Sequence, residues 1–199
     1  VMDEGEVSSI LQRYGSGFDV DLSKKEDSLV PFAIQATFHK YNVSKAVSFH
    51  SNNCRAKASA NIYGHVFADN DISVFNMNGN MHPSVRADVL QEAKASPKSI
   101  ITNCKLLHTG VDEASWDLVV MADAVTSHVE CRQMIGRVSR KAPGKKFGYV
   151  LIPMPFYDNN DTGCYDNFYT VFQAMVGEDP ELEQAVLLVI DRKSTRLNS

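Results

Sequence analysis

Apolar residues along this chain keep two rhythms. Short apolar runs recur at Ala46–Phe49, Ile72–Phe75, Ser99–Thr102, Leu118–Ala122 and Tyr149–Ile152, each flanked by polar or turn-forming residues. Runs of this length read as buried strands. Longer stretches with helical spacing lie between them, at Asn53–Tyr63, Pro83–Ala95 and Ser127–Arg140, and a further helix is expected over Leu29–Tyr41 with Pro31 near its first turn. In the helix opened by Pro83, Val85, Val89 and Ala93 recur every four residues and should form its inward stripe. Asn78-Gly79 marks the turn before it. This alternation predicts an α/β fold, a mainly parallel sheet with helices on both faces.

The pattern also divides the chain. Residues 1–28 mix acids, lysines and glycines without a sustained period and are expected to be a linker; residues 29–155 hold the strand–helix alternation and form the domain. Beyond them Cys164–Met175 and Pro180–Val189 read as two helices of a C-terminal extension, residues 156–190. The last nine residues, DRKSTRLNS, follow abruptly on the apolar AVLLVI and resemble the translation of a sequencing-adaptor oligonucleotide joined to a truncated reading frame. Residues 191–199 are therefore expected to be an artefact without a part in the fold.

Composition excludes several classes. The 199 residues are 44% apolar and 22% charged, as in soluble globular proteins and unlike disordered or collagen-like chains. No apolar run approaches the roughly 20 residues that cross a bilayer, and the start lacks a basic and apolar leader, so no membrane partner and an intracellular site, cytoplasmic or nuclear, are expected. Cys54, Cys104, Cys131 and Cys164 are too widely spaced for a zinc knuckle or a redox pair. Asp158 to Gly163 alternates oxygen ligands like a calcium loop, but Tyr169 stands where a bidentate Glu is needed. No metal site is expected. With a net charge of -4, any nucleic-acid surface must be local.

The chemistry concentrates in one helix. Ser127-His128-Val129-Glu130 has the form of a capping box, which starts a helix. Gln133, Gly136, Arg137 and Arg140 then fall on one face, and Cys131, Met134, Ile135 and Val138 on the opposite face. One stripe can dock on the sheet while the other presents an amide and two guanidiniums. The planar fork of arginine is always charged and binds two phosphate oxygens together, which suits it to a phosphoryl-transfer site. Read alone, a run holding Arg132, Arg137, Arg140, Lys141, Lys145 and Lys146 is more often a solvated basic face. The order of the motifs around it decides otherwise.

Gln133-x-x-Gly136-Arg137-x-x-Arg140 resembles motif VI of superfamily 2 helicases. Upstream, Ile101 to Asp112, ending in Gly110-Val111-Asp112, resembles motif V, and Lys45 to Ser51 resembles motif IV. All three stand in the family's order, across about residues 29–155. Met134 follows Gln133 where many relatives have Arg, and His108-Thr109 precedes Gly110 where a charged residue is frequent. The resemblance implies the C-terminal RecA-like domain of a DEAD/DEAH-type helicase. It implies that Arg137 and Arg140 reach the γ-phosphate, that Gln133 helps to position it, and that Gly110, Asp112 and Gly136 complete the nucleotide side. Thr102, Ser51 and Lys105 would meet a DNA or RNA backbone without reading its sequence.

Neither a G-x-x-x-x-G-K-[ST] cradle nor a DEAD/DEAH-type tetrad occurs in the chain. ATP and Mg²⁺ are thus expected to be held mainly by an N-terminal RecA-like domain of the same parent protein, and the fragment is expected to be inactive alone. Two other readings remain open. One is a non-catalytic module with the same fold that binds nucleic acid or protein, and the other is the translocase part of a restriction enzyme.

Overall fold

The computed structural model describes residues 25–104, 116–123, 127–138, 140, 145–153 and 170–175, without the side chains of residues 25–29, 128 and 137. Among these residues one sheet is built from β1 (Lys45–Phe49), β2 (Ile72–Met77), β3 (Lys98–Asn103), β4 (Leu118–Met121) and β5 (Tyr149–Leu151). Helices α1 (Lys25–Tyr41), α2 (Asn53–Val66), α3 (Pro83–Ala95) and α4 (His128–Val138) cover it, and residues 170–175 are also helical. The strand order is β2-β3-β1-β4-β5, and each neighbouring pair is parallel. The mainly parallel sheet expected from the alternation is present, and every expected strand lies within two residues of its expected ends.

Alternate residues of the central strands enter two separate cores, as period-two geometry requires. Ala46, Ile100, Leu118 and Val120 face Ile34 and Phe38 of α1, Tyr63 of α2 and Phe67 just beyond it. Val47, Phe49, Ile101, Val119 and Met121 face Ala93 of α3, Met134, Ile135 and Val138 of α4, and Val171 and Ala174. Burial on both faces explains why these strands read as continuous apolar runs. Each large apolar side chain buried in this way contributes roughly 1.5–3 kcal/mol.

Local chemistry sets the boundaries. α1 ends in a left-handed Asn42 (φ 52°), and the Val43 N–H closes back on the Phe38 carbonyl at 3.2 Å. Both Val43 and Phe38 are in the core, so the cap and its hydrophobic contact form together. On the opposite face of the sheet Lys45 Nζ donates to the carbonyls of Ala93 (2.7 Å), Lys94 (3.0 Å) and Ser96, and so neutralises the C-terminal end of α3.

Three elements depart from expectation. α1 begins at Lys25, which puts Pro31 inside the helix rather than in its first turn. Proline has no amide to give to the carbonyl four residues back, and burial of Pro31 offsets part of that loss. The inward stripe of α3 starts later than expected: Ala93 is buried and Val89 and Leu90 pack on the core, whereas Val85 is 45% exposed because the first turn reaches solvent. α4 ends at Val138 instead of Arg140. There the Val138 carbonyl lies so close to Gly148 that a Cβ at that position would come within 2.2 Å of it, so only glycine lets β5 follow. Residues 164–169 of one expected C-terminal helix, and all of Pro180–Val189, lie outside the described residues.

Candidate functional site

In an open parallel sheet, a crevice forms at the strand carboxyl ends where neighbouring strands send their connections to opposite faces. β1 leads into α2 on one face, and β4 leads into α4 on the other. The crevice therefore falls between the ends of β1 and β4, which stay in register down to Phe49 and Met121. His50 and Ser51 leave β1 there, and Ala122 and Asp123 leave β4.

Asp123 ties the two exits together. Its Oδ2 accepts the Ser51 backbone N–H at 2.7 Å, and Arg55 Nε donates to Oδ1 and Oδ2 at 2.8 and 2.9 Å. The Arg55 Nη2 atom lies 2.6 Å from Oδ1. Arg55 stands in the first turn of α2 because the Asn52 side chain accepts its backbone N–H at 2.9 Å and caps the helix. Burial raises the Asp123 pKa, but the hydrogen bonds from Arg55 and Ser51 more than offset it and hold the carboxyl below the ordinary aspartate value. The group is an anion at neutral pH.

A buried polar chain lies behind this pair. Ser48 Oγ is 3.0 Å from His50 Nε2 and 3.4 Å from the Tyr63 hydroxyl, and Ser59 Oγ is 3.5 Å from His50 Nδ1. The His50 N–H donates to the Asn103 carbonyl at 2.9 Å, and Asn103 Nδ2 donates to the Ser48 carbonyl at 3.2 Å, which joins the ends of β1 and β3. A pocket bounded by Val30, His50, Arg55, Ser59, Tyr63 and Asp123 opens alongside.

α4 starts as its sequence requires: Ser127 Oγ accepts the Glu130 N–H at 3.3 Å, and the Ser127 carbonyl accepts the Cys131 N–H at 3.0 Å. Cys131, Met134, Ile135 and Val138 are buried against the sheet, and burial pushes the Cys131 thiol up to about 11. Gln133 and Arg140 are exposed, and Gly136 is half-buried with open space where a side chain would stand. Arg137 has its backbone in the helix one turn after Gln133. Ser51 is exposed at the crevice. Thr102 is fully buried, with its hydroxyl donating to the Phe75 carbonyl at 3.3 Å and accepting Asn76 Nδ2 at 2.9 Å, so its side chain presents no surface to a nucleic acid. Lys105, Gly110 and Asp112 lie outside the described residues.

Arg55 and Asp123 are additions that sequence reasoning missed. Their signals were faint: an arginine in the first turn after β1, and a carboxylate close behind an apolar strand. Among the described residues no three His, Cys, Asp or Glu side chains gather as a metal site, and no helix is long and apolar enough to cross a membrane.

The family described as the helicase conserved C-terminal domain matches residues 28–142, more than half of the chain. A mouse protein, "Probable ATP-dependent RNA helicase DDX28", is 22% identical over 103 residues, which are 50% of this chain and 19% of that protein. The chain thus spans about a fifth of that relative's length. Among solved structures, the "ATP-dependent Type ISP restriction-modification enzyme LlaBIII bound to DNA" superposes with a TM-score of 0.67 at 21% identity, over 88% of this chain and 13% of that one. The "Mss116p DEAD-box helicase domain 2 bound to an RNA duplex" gives 0.57 at 15% identity, over 83% and 70%. The C-terminal domain of the DEAD-box protein Dbp5 gives 0.54 at 14%, over 80% and 89%. These likenesses are of fold, that of RecA-like helicase C-terminal domains. The family match over residues 28–142 shows that the chain belongs to the helicase conserved C-terminal domain family.

Proposed function

We propose that this chain is the second motor domain of a nucleic-acid-dependent ATPase, residues 29–155, joined through residues 1–28 to a first RecA-like domain of the same parent protein. The observation that carries this reading is the two-sidedness of α4. Its apolar stripe packs on the sheet while Gln133 stands exposed on the other side, Arg137 follows Gln133 by one helical turn, and Arg140, two residues past the helix end, is exposed as well. In the assembled motor Arg137 and Arg140 reach the γ-phosphate of ATP held with Mg²⁺ by the first domain, and Gln133 positions it. Gly110, Asp112 and Gly136 border the nucleotide. Ser51 and Lys105 meet the nucleic-acid backbone, whereas the buried Thr102 hydroxyl does not reach it.

A guanidinium supplied across a domain interface stabilises the charge that develops on the transferred phosphoryl group. In GTPases this is worth roughly 10³ to 10⁵ in rate. The test is ATP turnover by the full-length protein at saturating nucleic acid. Arg137→Ala or Arg140→Ala should lower kcat on the order of 10³-fold with the first domain intact. Turnover within a few fold of the unsubstituted protein would rule out the finger assignment. The 199-residue chain by itself should hydrolyse no ATP.

Within this reading the similarity to the restriction enzyme supports DNA as the track, and the similarity to the mouse RNA helicase supports RNA. Stimulation of turnover by linear duplex DNA, single-stranded DNA or RNA separates the two. A full-length protein that binds nucleic acid without any ATP turnover would instead be the non-catalytic module.

A further inference from the structure

The ion pair between Arg55 and Asp123 joins two chain segments that the motor reading gives to different ligands. Ser51 and Arg55 belong to the exit from β1, which faces the nucleic-acid track in that reading. Asp123 lies four residues before Ser127, where α4 begins, and α4 carries Arg137 and leads to Arg140. One carboxylate accepts both the Ser51 amide and the Arg55 guanidinium, so it holds the backbone of the β1–α2 turn and the first turn of α2 at once. Arginine on both oxygens of a carboxylate fixes orientation as well as distance. The side chains are 38% and 12% exposed, so the pair sits at the rim of the crevice, shielded in part from salt and within reach of movements of either loop.

We propose that Arg55 and Asp123 are a positioning pair that couples the nucleic-acid site at Ser51 to the placement of α4. Nucleic acid seated against the β1–α2 turn fixes Ser51 and Arg55. The ion pair then passes that constraint through Asp123 to the start of the arginine helix. Neither residue touches ATP; both act through Ser51 and α4. This inference rests on the motor reading and extends it to how the track controls turnover. An ordinary fold staple would give stability without affecting the stimulated rate.

The experiment is a double-mutant cycle in the full-length protein: Arg55→Ala, Asp123→Ala, both together, and Arg55→Lys. Asp123→Asn, which keeps the side-chain shape, serves as a second variant should the alanine substitution unfold the protein. Four quantities are read: kcat at saturating nucleic acid, KM for ATP, the Kd of a fluorescent oligonucleotide at fixed salt, and the unfolding temperature. Coupled residues give non-additive losses, so each single substitution should lower stimulated kcat about tenfold and the double variant should fall no further. Arg55→Lys, which can hold one oxygen, should recover part of the rate. KM and Kd should stay within about threefold.

Three results overturn the proposal: stimulated kcat within twofold of the unsubstituted protein in a folded single variant, losses that multiply in the double variant, or a loss explained wholly by weaker oligonucleotide binding. An unsubstituted protein without nucleic-acid-stimulated turnover would overturn the motor reading and this inference with it. Normal turnover in Arg55→Ala beside a dead Arg140→Ala would overturn this inference alone.

Discussion

At the residue scale, Cys131 reports whether the inner stripe of α4 is seated. Burial in the core raises its thiol pKa to about 11, so at pH 8 it is a neutral, shielded thiol, whereas Cys54 is exposed in the first turn of α2. Alkylation requires the thiolate and access to it. Iodoacetamide at pH 8 should therefore label Cys54 well before Cys131, with the difference abolished in urea; peptide mass mapping checks this. Labelling of Cys131 at the rate of Cys54 in folded protein would mean that α4 does not pack as described. The burial of Cys131, Met134, Ile135 and Val138 was legible in the sequence because helical spacing alone separates the two faces. The Arg55–Asp123 pair was not, because its partners are 68 residues apart and meet only when β1 and β4 become neighbours. Spacing along the chain carries no signal for a contact made across the sheet.

At the element scale, strand cores were readable and their surroundings less so. Apolar runs such as Val47 to Phe49 and Leu118 to Met121 are buried on both faces, and that burial is what makes them runs. Val85 shows the limit: its period is helical, yet exposure depends on how far α3 overhangs the sheet, which no local pattern encodes. Lys45 is a second case. It opens β1 as an ordinary charged residue in the sequence, but in the fold its ammonium takes three carbonyls at the end of α3. Those carbonyls have no helical partners, and charge-assisted hydrogen bonds to them also oppose the helix dipole. Lys45→Met keeps most of the aliphatic stem and removes the donors, so it should destabilise the fold by roughly 1–3 kcal/mol. Urea unfolding followed by circular dichroism measures this. A change below about 0.5 kcal/mol would show that water replaces the ammonium at no loss.

At the scale of the whole molecule, the strand order makes the sheet strongest where the candidate site is anchored. β1 pairs on both sides, with β3 and with β4, and its exit holds His50, Ser51 and the clamp on Asp123. β5 has three residues, none fully buried, and among the described residues pairs only with β4. Strand order follows from which connection crosses which face, a choice the alternating pattern allowed but did not make. Its consequence is a gradient of local opening, since amides in doubly paired buried strands exchange only through large unfolding events, whereas short edge strands open at lower free energy. Hydrogen–deuterium exchange should thus leave the peptide over β1 protected longest and the peptide over β5 exchanged first. Equal protection in the two would mean that β5 is held by more than its pairing with β4. The gradient also bears on α4, whose last carbonyl, that of Val138, lies against Gly148 at the entrance to β5. In the proposed coupling the start of α4 is tied toward the rigid centre through Asp123, while its end abuts the short edge strand β5.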